Sequence, residues 1–118
     1  MSQASLGKRG EKAAENFLIR KGYKLLARNF RYSRYGEIDL VFIEGKEVVF
    51  VEVKARSNTS FGFPEEGVDK RKIKKIEKVA QAFLLSKKWE KMWRIDVVAV
   101  FCRDNRVSIN HFENVSGF

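Results

Sequence analysis

The chain has one cysteine, one proline and one histidine among 118 residues. A single thiol, Cys102, excludes any disulfide within the chain and fits a reducing compartment; its place in an apolar run marks it as a small buried hydrophobe. The lone histidine, His111, has no metal-ligand spacing around it, which points to a surface or strand position rather than catalysis. No run approaches the ~18 apolar residues of a membrane-spanning helix, and the N-terminal segment lacks the apolar stretch of a secretory signal. A cytoplasmic chain without a membrane partner is therefore expected. Acidic residues are also few: 15 against 24 lysines and arginines give a net charge of +9. That balance favours an anionic partner, nucleic acid or an acidic surface.

What is present supports a folded core. The hydrophobic fraction is 44% with ten phenylalanines, and the length suits one domain spanning 1–118. Ala13, Ala14, Phe17 and Leu18 recur at helical spacing in a first helix over about 5–21, stopped by Gly22. A strand follows over 23–29, then a basic turn over 31–36. A second helix is expected over 69–88, capped by Asp69, with Ile73, Ile76, Val79, Ala80, Phe83 and Leu84 as its stripe. Trp89 and Trp93 would close its end onto the core. Strands over 94–101 and 106–112 complete a mixed α/β domain of order αβββαββ. The stretch 58–67, which holds Pro64, Gly62 and Gly67, is the longest irregular one.

The hairpin between the first strand and the second helix carries the chemistry. Residues 37–43 and 47–54 both read as strands, and Gly45-Lys46 suits a two-residue turn. In that register Asp39 faces Glu52, Val41 faces Phe50 and Ile43 faces Val48. Side chains alternate along a strand, so Lys54 shares the face of Glu52. Two carboxylates directly opposite, with Cβ atoms roughly 4.5–5.5 Å apart, repel each other in an apolar hairpin. A divalent cation between them reverses that sign, and a lysine beside them completes a site for phosphate chemistry. A three-residue turn would instead oppose Asp39 to Val51 and break the shared face. Glu11, on the border of the first helix's inward face, is a third acidic candidate, with Glu15 one turn on as the alternative.

Gly10-Glu11 with Ala14, Gly22-Tyr23, Arg28-Asn29-Phe30-Arg31, Gly36-Glu37-Ile38-Asp39-Leu40 and Val49-Phe50-Val51-Glu52-Val53-Lys54-Ala55-Arg56 occur in order along the chain. Phe61-Gly62, Lys72 and Arg94-Ile95-Asp96-Val97-Val98 continue the series. Together they resemble the YraN-type uncharacterised protein family, which is similar to archaeal Holliday-junction resolvases within the PD-(D/E)XK nuclease superfamily. The resemblance implies a restriction-endonuclease-like core and metal-dependent phosphodiester hydrolysis. Asp39 and Glu52-Val53-Lys54 match the superfamily's motif, and Glu11 matches the first-helix glutamate of the resolvases. Ile38 stands where the superfamily often carries proline. Implied ligands of Mg²⁺ or Mn²⁺ are Asp39, Glu52, Glu11 and the backbone carbonyl of Val53, with Lys54 orienting water or offsetting charge on the phosphate.

Other residues have two readings each. Arg28, Arg31, Arg34 and Arg56 flank the hairpin ends and suit nucleic-acid contact. Lys72, in the run Lys70-Arg71-Lys72 with Lys74, Lys75 and Lys78, either tracks a phosphate backbone or belongs to a solvated helix face. Tyr32, Tyr35, Phe61 and Phe63 either stack on unpaired bases or pack on the body. Asp96 reads either as a group supporting the site residues from behind or as a buried partner of Arg or Lys, the structural role being favoured. The expected activity is DNA cleavage, DNA being favoured over RNA. A two-fold junction would need two active sites and hence a homodimer. The competing readings are a binding module of the same fold without catalysis, and an interaction protein with a merely basic surface.

Overall fold

A computed structural model describes residues 2–57 and 70–116. Asp69, Pro64, Gly62, Gly67, Phe61 and Phe63 lie outside those residues, so the expectations attached to them have no structural counterpart here.

Helix α1 spans Gln3–Arg20. The Ser2 hydroxyl starts it by accepting the Ser5 N–H at 3.1 Å. Its end is a glycine stop: Gly22 adopts φ +99°, Gly22 N–H donates to the Ile19 carbonyl and Tyr23 N–H to that of Leu18. Strands β1 (Lys24–Arg31), β2 (Glu37–Glu44) and β3 (Glu47–Arg56) follow, then helix α2 (Lys70–Ser86) and strands β4 (Trp93–Arg103) and β5 (Arg106–Phe112). A short 3-10 turn, Ser33–Tyr35, joins β1 to β2. The element order is the expected αβββαββ, with α1 beginning two residues earlier and β4 beginning one residue earlier and ending two later than the sequence pattern suggested.

The five strands form one mixed sheet in sequence order. All neighbours are antiparallel except β3 and β4, whose parallel pairing needs a crossover, and the segment carrying α2 supplies it. The arrangement is α/β and compatible with a restriction-endonuclease-like core. Central strands β3 and β4 are nearly continuous in Val, Ile and Phe because both their faces are covered.

Each face has its own helix and core. Ala14 and Leu18 of α1 pack with Leu40, Phe42, Val49, Val51, Val98 and Val100, and Cys102 is buried among them. On the other face Ile76, Val79, Ala80, Phe83 and Leu84 of α2 pack with Val41, Val48, Phe50 and Ile95, and Ile73, Trp89 and Trp93 close its margin. Every apolar position of the expected α2 stripe is thus in the core or against it.

The hairpin register is the expected one. Val41 pairs with Phe50, Ile43 with Val48 and Leu40 with Val51, and Gly45 takes the positive φ of +62° that the first turn position demands.

Candidate functional site

Beyond Leu40 and Val51 the hairpin strands lose their backbone ladder, and side chains take over. Continuing the register brings Asp39 opposite Glu52, and the Val53 N–H donates to Asp39 Oδ2 at 2.8 Å. A carboxylate here replaces a main-chain acceptor, which anchors Asp39 in one orientation at the open end of the sheet.

The two carboxylates border two concavities. On the α1 side, a cleft of about 230 Å³ is lined by Leu6, Gly7, Glu11, Asp39, Glu52, Val53, Lys54, Ala55 and Arg56. On the α2 side, a groove of about 560 Å³ runs from Asp39 and Glu52 past Gly36 to Tyr35, and Arg34, Arg71, Lys72 and Lys75 line it. Acidic groups therefore sit where a small pocket meets a basic channel.

Helix α1 reaches the site because of Gly10. A Cβ built there would stand 2.6 Å from the Cβ of Ala55, so only glycine lets the helix approach β3 this closely. The next residue, Glu11, is thereby brought into the cleft, where Asn29 Nδ2 donates to its Oε1 at 3.2 Å. Asn29 holds a left-handed φ of +49°, a conformation asparagine tolerates better than most residues. Glu15 goes elsewhere: it is buried and takes a forked pair of bonds from Arg28, at 2.7 and 2.9 Å, which holds its carboxyl below the ordinary value. Of the two glutamates, Glu11 faces the hairpin carboxylates.

The electrostatics are those of crowded acids. Burial, then the Glu52 charge beside it, push the Asp39 carboxyl up to about 7, against the opposing pull of the Val53 N–H. Glu11 and Glu37 add to the rise. Lys54 also lines this cleft. Burial and the neighbouring Lys72 hold its ammonium below the ordinary value. Lys72 Nζ stands 3.2 Å from Glu52 Oε1. Burial is the largest influence on Lys72 and works against its charge, but Glu52, Lys54 and Asp39 together outweigh it and leave the pKa raised.

The remaining cations divide by partner. Arg34 lines the groove and Arg56 the cleft. Arg31 lies 3.7 Å from Glu37 on an exposed surface. Arg28, expected to meet nucleic acid, is turned onto Glu15 instead, though much of its side chain stays exposed. Glu37, Asn29 and the close approach at Gly10 were not singled out from sequence. The short Gly10-Glu11 motif was the available signal for the last of these.

A second polar cluster lies away from the cleft. Asp96 is fully buried and accepts from Arg94 Nε at 2.9 Å, from the Asn114 N–H at 2.9 Å and from His111 Nε2 at 2.7 Å. The Lys21 ammonium donates to His111 Nδ1 at 2.9 Å, which leaves Nε2 as the nitrogen that carries hydrogen toward Asp96. Arg94 also bonds Glu47 at 2.7 Å, Glu113 at 3.0 Å and the Tyr23 hydroxyl at 2.8 Å. Burial pushes that phenol up to about 12. Ligand atoms of Asp96, His111 and Glu113 converge within 4.8 Å. Arg94 already supplies the positive charge there, and the cluster ties the C-terminal segment to the sheet. Asp96 thus has the structural role its sequence context suggested, and His111 takes the strand position of its two expected ones, in β5, with its side chain buried.

No helix among the described residues is long and apolar enough to cross a membrane. A family model, described as uncharacterised protein family UPF0102, matches residues 10–100. A UPF0102 protein of Carboxydothermus hydrogenoformans is 38% identical over 119 residues, covering 100% of both chains. One from Syntrophomonas wolfei is 46% identical over 110 residues, covering 92% of this chain and 95% of its own. A third, from Thermodesulfovibrio yellowstonii, is 41% identical over 114 residues, covering 97% of each.

Proposed function

Since the chain belongs to the uncharacterised protein family UPF0102, whose name assigns no chemistry, we propose from the site itself that it is a metal-dependent endonuclease acting on DNA. The observation that carries this reading is the facing pair Asp39 and Glu52, with the Asp39 carboxyl pushed up to about 7 by burial first and the Glu52 charge second, and with Lys54 lining the same cleft. Carboxylates so placed are costly in a hairpin unless their charge is used.

The donor set suits a hard divalent cation. Asp39, Glu52 and Glu11 offer carboxylate oxygens, and Val53 a peptide carbonyl, with no sulfur or imidazole among the residues lining the cleft. These are the residues that would hold Mg²⁺ or Mn²⁺. Such an ion, when bound, supplies a Lewis acid at the scissile phosphate and makes water a better nucleophile. Asp39 is kept in orientation by the Val53 N–H on its Oδ2. Lys54, whose ammonium burial and Lys72 hold below its ordinary value, orients the attacking water or offsets charge gathering on phosphate oxygens. Arg34, Arg71, Lys72 and Lys75 hold the phosphate backbone along the groove. DNA is the proposed substrate rather than RNA, and two copies of the chain would serve a two-fold junction.

A second reading, a nucleic-acid-binding module without catalysis, is favoured by one observation. Lys72 already places a positive charge 3.2 Å from Glu52. Incubating labelled four-way, flapped, single-stranded and duplex DNA with the protein and Mn²⁺ separates the two. The nuclease reading expects cleavage of at least one substrate and a loss on the order of 10²-fold in Lys54→Ala with DNA binding retained. Binding without cleavage of any of the four, together with no Mn²⁺ uptake, supports the module.

A further inference from the structure

One residue lining the groove beside the carboxylates, Tyr35, belongs to an aromatic pair that the groove's phosphate-holding role does not use. Tyr32 and Tyr35 stack on each other with ring centroids 5.7 Å apart and planes 12° from parallel. Both belong to the turn between β1 and β2, and both remain exposed, at 44% and 37%. Lys78 of α2 places its ammonium 5.0 Å from the Tyr35 ring centroid, which fixes that ring against the helix. Tyr32 is then the outer ring of the pair. Ser33, with φ +51°, and Gly36, with φ +111°, bracket the turn and turn the chain back into β2. Gly36 leads through Glu37 and Ile38 to Asp39, so Tyr35 lies at most roughly 14 Å of chain from the carboxylate.

Exposed, pre-stacked rings at the mouth of a cationic channel match the surface of a nucleic-acid strand with its bases unpaired. Arg34, Arg71, Lys72 and Lys75 would meet the phosphates, and a base freed from pairing would extend the tyrosine stack. A fully paired duplex has its bases stacked inside and offers no free face to such a platform. We propose that Tyr32 and Tyr35 form a base-stacking platform that selects DNA with unpaired bases next to the cleft. This deepens the nuclease reading and rests on it for the path of the strand. The stack also explains why two large aromatic side chains stay at the surface of a turn rather than joining the core.

The test is binding in EDTA, read by fluorescence anisotropy, of labelled oligothymidine and of a blunt duplex by the full chain. Tyr32→Ala and Tyr35→Ala are each expected to weaken oligothymidine binding by about tenfold, the scale of one lost base–aromatic stack, and to leave duplex binding unchanged. Tyr32→Phe and Tyr35→Phe should bind like the parent, because the ring and not the hydroxyl makes the stack. Lys75→Ala should weaken both probes and flatten their salt dependence. Alanine variants that bind oligothymidine as tightly as the parent, or lose both probes equally, overturn the proposal. So does a parent chain that binds neither probe. Mn²⁺ calorimetry on the same tyrosine variants keeps the two ideas apart. Unaltered metal uptake leaves the nuclease reading standing when the platform fails, and absent metal uptake with a selective tyrosine effect does the reverse.

Discussion

Lys72 Nζ lies 3.2 Å from Glu52 Oε1, so a lysine from α2 rests on a carboxylate from β3 at the end of the hairpin. The contact joins the two halves of the site, and it also competes with any cation that Glu52 would hold. Lys72→Ala is expected to tighten Mn²⁺ binding by roughly tenfold, because a like charge beside the site is removed. The same variant should cleave DNA more slowly, since the phosphate loses a partner in the groove. Calorimetry and a cleavage time course on one preparation check both directions.

Asp39 titrates against the fold. Its carboxyl is raised in the folded chain to about 7, from an ordinary value of 3.8. A raised folded pKa means that the folded state binds the proton more tightly than the unfolded state does. The corresponding stability is fully present below 3.8 and is lost as pH rises through about 7. The metal-free chain should therefore melt at lower temperature at pH 8 than at pH 5 through this group. Asp39→Asn should remove most of that difference while keeping an acceptor for the Val53 N–H. Metal uptake has the opposite pH sense, strengthening as Asp39 loses its proton. Thermal melts across this range in EDTA and in Mn²⁺ measure both.

Glu11 and Glu15 separate by partner. Glu11→Gln should weaken Mn²⁺ binding by roughly tenfold or more, because it removes a charge from the cleft. Glu15→Gln breaks the forked bond with Arg28 and should leave metal binding unchanged. Equal effects on metal binding would contradict the assignment of Glu11 to the site.

Gly10 is fixed by the 2.6 Å approach to Ala55. Gly10→Ala forces α1 away from β3, and the expected cost is about 1–3 kcal/mol, the usual range for overpacking. Because Glu11 moves with the helix, Mn²⁺ binding should weaken as well. Urea unfolding with calorimetry reads the two effects.

The Arg94 network is stabilising without being part of the cleft. Arg94→Met leaves Asp96 buried without its guanidinium partner, which should cost about 3–5 kcal/mol in urea unfolding. Metal binding at Asp39 and Glu52 should persist in whatever fraction folds. A second change, Asp96→Leu, should recover part of the loss because it removes the orphaned charge.

Local rules carried much of this structure into the sequence. A two-residue turn at Gly45-Lys46 and a period of two are enough to place Asp39, Glu52 and Lys54 together, and the hairpin has that register. The stripe from Ile73 to Leu84 is likewise a helical period that the core uses in full. Contacts set by tertiary packing were not legible. Lys72 meets Glu52 only because α2 lies along the face that Glu52 shares, and periodicity does not rank one lysine of the run above another. Arg28 reads as a free basic residue until α1 brings Glu15 against it. The Tyr23–Arg94 bond spans 71 residues of sequence, so no local pattern announces it. Whether Tyr32 and Tyr35 faced solvent or the core was equally open, and their mutual stacking at the surface is information that only the fold supplies.

The central claim is that Asp39 and Glu52 jointly hold a divalent cation, and Mn²⁺ calorimetry on the parent, Asp39→Asn and Glu52→Gln tests it most directly. The expected result is saturable binding by the parent that each substitution abolishes, with far-ultraviolet circular dichroism showing both variants folded. Absence of binding by the parent, even with DNA present to supply phosphate oxygens, or binding that survives both substitutions, would contradict it.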